Sequence, residues 1–187
     1  MNTGLRVLYL THHGPWPAAS GGRLRDAALI PEVARLTDLE VWAVSRTPDA
    51  DRAASRHAPA GVVTRVFADE STQRSYPTRD SAMLRAALAE RLSGPDPFDV
   101  IHIEGHYLFH LLPEGVRDRA VVVEHNVESH LLQQMAAHCG LTPRLMADIE
   151  TVASAEEQVW RAAGMVLALS REDQARDRKS TRLNSSH

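Results

Sequence analysis

One cysteine, Cys139, is all that the 187 residues contain. No disulfide can close within the chain, and a lone thiol fits a reducing compartment, so a cytoplasmic setting is the expectation. Long apolar runs are missing too. AVVVEH and MVLALS stop after a handful of residues, where a bilayer span wants about 20. MNTGLRVLYL breaks at THHGP and does not read as a signal peptide. Nor is there a basic excess: 21 Lys and Arg against 24 Asp and Glu give a net charge of −3, which argues against a nucleic-acid partner. The composition, 43% hydrophobic and 24% charged, is that of a globular protein sized for one domain.

Several familiar motifs are absent as well. Gly14, Gly21 and Gly22 follow the first apolar run but do not make the G-x-G-x-x-G of a dinucleotide-binding turn, and no G-K-[ST] follows them, which excludes a P-loop. IHIEGHYLFH holds His102, Glu104, His106 and His110 without the H-E-x-x-H spacing of a helical zinc site. His102 and Glu104 share one strand face while His106 falls in the turn, so no metal site is expected.

The last eleven residues, DRKSTRLNSSH from Asp177 to His187, match the in-frame translation of a common sequencing adapter. They are set aside as a non-native tail, 177–187, from a domain expected over 1–176. Removing its three cations and one anion takes the net charge from −3 to −5.

Within 1–176, short apolar runs alternate with helical patterns. RVLYL, LEVWAV, VVTRVF, DVIHIE, AVVVEH and MVLALS read as buried strands. Arg23 to Leu36, with apolar positions Leu24, Ala27, Ala28, Ile30 and Ala34, reads as a helix, as do Ser81 to Leu92 and Thr142 to Ala163. Pro48 to Ala60 and Asp69 to Arg79 carry no strong pattern. Such alternation predicts right-handed βαβ crossovers and an α/β doubly wound, mostly parallel sheet with flanking helices.

A sheet of this kind binds ligands beyond the carboxyl ends of its strands. After the first strand, Gly21 and Gly22 lack side chains, so backbone amides at the start of the next helix can approach a phosphate or sugar closely; the alternative is a simple tight turn. Arg23 and Arg25 are either anion contacts or part of an exposed helix face. Glu104, at the mouth of the fourth strand, suits a polar ligand contact or a basic partner. Glu124, His125 and Asn126 fall where the fifth strand gives way to a helix. Asn126 is a good helix cap and Glu128 favours the helix dipole, but capping does not explain His125, which can exchange hydrogen bonds with a sugar hydroxyl.

In combination, PxxxSGGRLR after the first strand, FDVIHIE at the fourth, VVVEHNVES at the fifth and AAGMVLALSREDQ at the sixth resemble the N-terminal half of a group 4 glycosyltransferase of GT-B architecture. The resemblance covers nearly all of Leu5 to Gln174. It implies a Rossmann-like, acceptor-side domain facing a second, donor-binding domain that this sequence lacks. It implies that Gly21 and Gly22 approach the donor diphosphate, with Arg23 beside them, and that His125 contacts the transferred sugar. Ser170 matches the serine after the sixth strand, with Asp173 close by; Glu104, Asn126 and Glu128 are weaker acceptor-side candidates.

The implied reaction is sugar transfer from a nucleotide-sugar donor to a sugar, lipid or small-molecule acceptor, normally with retention and with no cofactor or bound metal. Peripheral membrane association of the parent enzyme is compatible with that class. The chain alone is expected to be inactive. Two other readings stay open: a non-catalytic α/β ligand-binding module, and a sugar-nucleotide epimerase of the same architecture.

Overall fold

A computed structural model describes residues 4–72, 78–95 and 97–169. Six strands form one parallel sheet: β1 (Arg6–Thr11), β2 (Asp38–Ser45), β3 (Val63–Ala68), β4 (Val100–Glu104), β5 (Ala120–Glu124) and β6 (Met165–Ala168). Their order is β3-β2-β1-β4-β5-β6. The chain therefore winds outward from β1 in one direction and then returns to wind outward in the other. The gap between β1 and β4 is the switch point at which such sheets open a ligand crevice.

Helices α1 (Gly21–Leu36), α2 (Pro48–Ala54), α3 (Ala82–Ser93), α4 (Glu128–Cys139) and α5 (Pro143–Ala162) cover the sheet, with short 3₁₀ segments at Ser55–His57, His106–Leu111 and Glu114–Arg119. Strand alternation divides the core in two. Leu8 and Leu10 face one side, where Trp42, Leu84, Leu88, Phe98, Leu108 and Val159 pack. Val7 and Tyr9 face the other, with Ile30 of α1, Leu39 and Val41. Burial on both faces is why β1 and β5 read as unbroken apolar runs, while β2 and β4 are interrupted only by Glu40 and His102.

Two local expectations need correction. Pro48–Ala54 is a helix, not a patternless connection: Pro48 sits in its first turn, and Asp49 and Asp51 favour its N-terminal end. Leu24 is not on the buried side of α1 but 57% exposed. The residues that α1 buries fully are Asp26 and Ile30, one turn apart. A carboxylate in a core-facing position defeats a reading by hydrophobic period, and Asp26 is buried because polar partners await it.

Among the described residues, no helix is long and apolar enough to cross a membrane.

Candidate functional site

Parallel register builds the site. Tyr9 lies opposite His102 across the β1–β4 pair, and their rings stack at a centroid distance of 4.3 Å. Two residues further along the same faces stand Thr11 and Glu104, both fully buried at the carboxyl edge. Gly105 follows with φ +74°, and a Cβ there would stand 2.5 Å from the Tyr107 ring. A glycine at that turn lets the chain leave β4 abruptly while Glu104 stays at the mouth.

Glu104 collects four donors. Oε1 accepts from the Tyr9 hydroxyl at 2.8 Å and from His102 Nε2 at 2.6 Å. Oε2 accepts from Arg25 of α1 and from His125, which stands one residue beyond β5. A carboxylate offers about four lone-pair sites, so this one is saturated. Burial alone would raise its pKa, but the hydrogen bonds from His102, His125 and Tyr9 hold it well below the usual carboxylate range. Glu104 is thus the basic group's partner rather than an open ligand contact. Saturation also fixes its neighbours. Arg25 Nη1 lies 2.6 Å from His125 Nε2, but a ring nitrogen whose proton is committed to the carboxylate has no lone pair to offer. Both groups are donors to one oxygen, which leaves Nδ1 as the His125 ring nitrogen outside this contact.

A second carboxylate, Asp26, accepts from Thr11 Oγ1 at 2.8 Å and lies 3.0 Å from the Tyr9 hydroxyl. Tyr9 thus bridges Asp26 and Glu104 with a single proton, and burial followed by the charges of Asp26 and Glu104 pushes its pKa far up. His13 Nε2 is 3.1 Å from Asp26 Oδ2, but it is buried and makes no hydrogen bond. His12 Nδ1 lies 3.2 Å from the Glu104 carbonyl oxygen. A carbonyl accepts only, so Nδ1 carries the proton. Burial, then the neighbouring His13, lowers the His12 pKa to about 3, and the ring is neutral at pH 7.

The loop before α1 closes the arrangement. Ser20 is the N-cap residue, but its hydroxyl caps nothing. Gly21 and Gly22 open the helix with no positive φ, so neither is there to permit a left-handed backbone. A Cβ on Gly21 would meet nothing within 4 Å, whereas one on Gly22 would come within 2.9 Å of the His13 ring. Arg23 pairs with buried Asp51 at 3.1 Å, and Asp51 also accepts from Ser45 Oγ at 2.5 Å.

On the other side of His125, the capping expectation fails. Asn126 is exposed and is not the cap; Val127 holds that position without a capping side chain. Glu156 of α5 caps the helix instead. Its Oε1 accepts from the Glu128 amide at 2.5 Å, and its Oε2 accepts from the Ser129 hydroxyl at 2.6 Å. Glu128 is buried and accepts from the Tyr107 hydroxyl at 3.0 Å. Beside it, His106 Nδ1 lies 3.2 Å from both oxygens of Glu124. Burial opposes charging of His106, but Glu124, Glu156 and Glu128 outweigh it and raise its pKa. Ser170 lies outside the described residues, as does the tail 177–187.

So the structure brings His125, Glu104, Gly22 and Arg23 to one edge, leaves Asn126 exposed and turns Glu128 into the neighbouring core. Tyr9, His12, Asp26 and Glu156 were not among the expected site residues. For Glu156 a signal existed: Val152, Glu156 and Val159 share a buried stripe, and a carboxylate at helical spacing between two valines implies a buried partner. Among the described residues, no group of three or more His, Cys, Asp or Glu is arranged to hold a metal ion.

No protein-family model matches the chain, and no curated protein matches it in sequence. Solved structures match it in fold. A Polygonum tinctorium UDP-glucosyltransferase capable of glucosylating indoxyl aligns with 95% of this chain and 50% of its own, at TM-score 0.55 and 11% identity. Sucrose-phosphate synthase from Thermosynechococcus elongatus aligns with 94% of this chain and 45% of its own, at 0.56 and 13%. Phytolacca americana UGT2, complexed with UDP-2-fluoro-glucose and pterostilbene, aligns with 100% and 52%, at 0.54 and 9%. The chain shares its Rossmann-like α/β fold with GT-B glycosyltransferases. It spans about half the length of each of these structures.

Proposed function

We propose that the chain is the N-terminal, acceptor-side half of a GT-B glycosyltransferase of the group 4 kind, which transfers a sugar from a nucleotide-sugar donor to a sugar, lipid or small-molecule acceptor with retention. The observation that carries this reading is the fixing of His125. A histidine at the carboxyl edge, beside the switch point, is held by a buried carboxylate through Nε2, so that Nδ1 is the nitrogen left for a ligand.

Departure of a nucleoside diphosphate builds negative charge, which positioned donors must meet. The first-turn amides of α1, at Gly21, Gly22 and Arg23, lie at the positive end of a 16-residue helix. They contribute to that stabilisation, while the partner domain supplies the larger share and most of the donor site. His125 exchanges a hydrogen bond with a hydroxyl of the transferred sugar through Nδ1 and orients the ring while the acceptor attacks on the face from which the diphosphate leaves. Residues 177–187 are adapter-derived in this reading and take no part, and the 187-residue chain by itself transfers nothing.

The test is to recover the coding sequence past Arg176, express the longer protein and measure product formation with nucleotide-sugars and an acceptor panel. A nucleotide-sugar isomerised without any acceptor would favour the epimerase reading. A gene that ends within the DRKSTRLNSSH stretch would favour the binding module.

A further inference from the structure

Three arginine side chains converge on a pocket beside the first-turn amides of α1. Arg46 follows β2, Arg79 lies in the connection to α3, and Arg23 stands in the first turn of α1; with His12, His13, Ser20, Ser45 and Thr47 they line a polar cavity of about 270 Å³. Three sequence-distant segments supply its cations. That is more than a helix terminus provides by itself.

Its charge is arranged for an incoming anion. Asp69, whose side chain is 1% exposed, lies 3.3 Å from Arg46 Nε and 3.5 Å from Arg79 Nη1, both at Oδ2. Its other oxygen accepts from the Ser71 amide at 2.9 Å. One carboxylate thus holds two guanidinium groups side by side, each by a single long contact, and each fork keeps N–H groups uncommitted. Burial works against ionisation of Asp69, but Ser71 and Arg79 hold its pKa below the usual value, so the anchor stays charged. Arg23 pairs with Asp51, which also accepts from Ser45 Oγ. Three guanidinium groups line the cavity and, among the described residues, no carboxylate does; Asp69 and Asp51 stand behind the arginines, and Asp26 stands against His13. His12 is neutral, so the arginines supply the positive charge. Ser20 and Thr47 add hydroxyls at the rim.

We propose that this pocket, between the carboxyl ends of β1 and β2, binds the phosphate group of a phosphate monoester substrate, with Arg46 and Arg79 as its principal ligands and Arg23 closing the α1 side. Planar guanidinium forks match tetrahedral oxyanions by paired hydrogen bonds. The proposal goes beyond sugar transfer, does not need it, and is measured on the chain itself.

Isothermal titration calorimetry of the 187-residue chain with inorganic phosphate, glucose 6-phosphate, glucose and UDP is the experiment. Phosphate and glucose 6-phosphate should bind one to one, and glucose should not. Arg79→Ala and Arg46→Ala should each weaken glucose 6-phosphate binding about tenfold or more, the loss expected for a charge-assisted hydrogen bond. Arg46 is 62% exposed, so its variant keeps the fold, and Arg46→Lys should recover part of the affinity. No phosphate binding at millimolar concentration overturns the proposal. So does UDP binding more tightly than glucose 6-phosphate with the same dependence on Arg46 and Arg79, because the pocket would then hold a donor diphosphate. Sugar transfer without phosphate binding would leave the proposed function standing and overturn the phosphate assignment alone.

Discussion

His125 lies one residue past the end of β5, and its Nε2 donates to Oε2 of Glu104, a carboxylate on the neighbouring strand that solvent does not reach. The ring itself is about a quarter exposed. One edge of the imidazole is therefore anchored in the core while the rest is available to a ligand, the division expected of a positioned polar group rather than a packed one.

The proposed function predicts that, in the protein extended past Arg176, His125→Ala lowers sugar transfer about 10²-fold or more, the loss typical of a positioned polar group at a reacting centre. Gly22→Val should impair turnover, because its Cβ meets a His13 ring already placed against His12 and Asp26. Gly21→Ala should be tolerated, since nothing stands within 4 Å of the added carbon. Steady-state kinetics with melting curves for each variant checks this; a folded His125→Ala enzyme with full turnover makes the histidine structural.

Glu104→Gln keeps the shape and removes the charge. The amide NH2 would confront two of the four donors that now point at the carboxylate, leaving them buried and unpaired. A loss of about 3–5 kcal/mol is expected, the range for breaking a buried pair from one side. Urea unfolding of the chain reads it directly. A loss below about 1 kcal/mol would mean the four contacts are not held together in solution.

His12 and His106 should give pH dependences of opposite sign. His12 has a folded pKa of about 3 against about 6.5 unfolded, so between those values the unfolded chain binds the proton and acidification destabilises the fold. His106 has a raised pKa, so its contribution is complete below about 6.5 and is lost as pH rises through the folded value. Stability relative to the parent should therefore improve on acidification for His12→Gln, and on alkalinisation for His106→Gln. Denaturant midpoints across pH 4 to 9 are the measurement; parallel curves for parent and variants would contradict both assignments.

Glu156→Ala strips the start of α4 of its cap. An N-cap substitution costs about 1–2 kcal/mol and a buried unsatisfied N–H about 1–3, so a drop of about 2 kcal/mol is expected. The loss should be largest in amide exchange at Glu128 and Ser129, whose N–H groups face Glu156. Unchanged protection at those two amides would show that another group takes over the cap.

The strands were legible in the sequence as short, mostly apolar runs bounded by polar residues, most plainly β1 and β5, which are buried on both faces; the edge strands β3 and β6 are only partly buried. Short α2 was not, since PDADRAA has no apolar stripe and its one buried residue is the acid Asp51. The site was legible in part. Glu104 and His125 betray themselves as polar residues at strand ends. Asp26 and Tyr9 do not, because one sits on a helix face and the other inside an apolar run, and only the register of β1 against β4 brings them together. Glu156, 28 residues from the amide that it caps, lies beyond the reach of any local capping pattern.

The strand order carries a consequence for how this chain reaches its native state. β1 is central, yet its second neighbour, β4, begins 94 residues after β1 does. The β1–β2–β3 half can associate as soon as those segments exist, while the other edge of β1 stays unpaired until Val100–Glu104 arrives. Such non-local pairing is slow to close. Tyr9, Arg25 and Asp26 belong to the early half, Glu104 and His125 to the late one. The Tyr9–Glu104 and Arg25–Glu104 hydrogen bonds cross between the halves and form only when these join, so the environment of Tyr9 is a clock for the last step of folding: its ring resonances, set by the stack on His102, should take their native positions no earlier than the β1–β4 amides become protected.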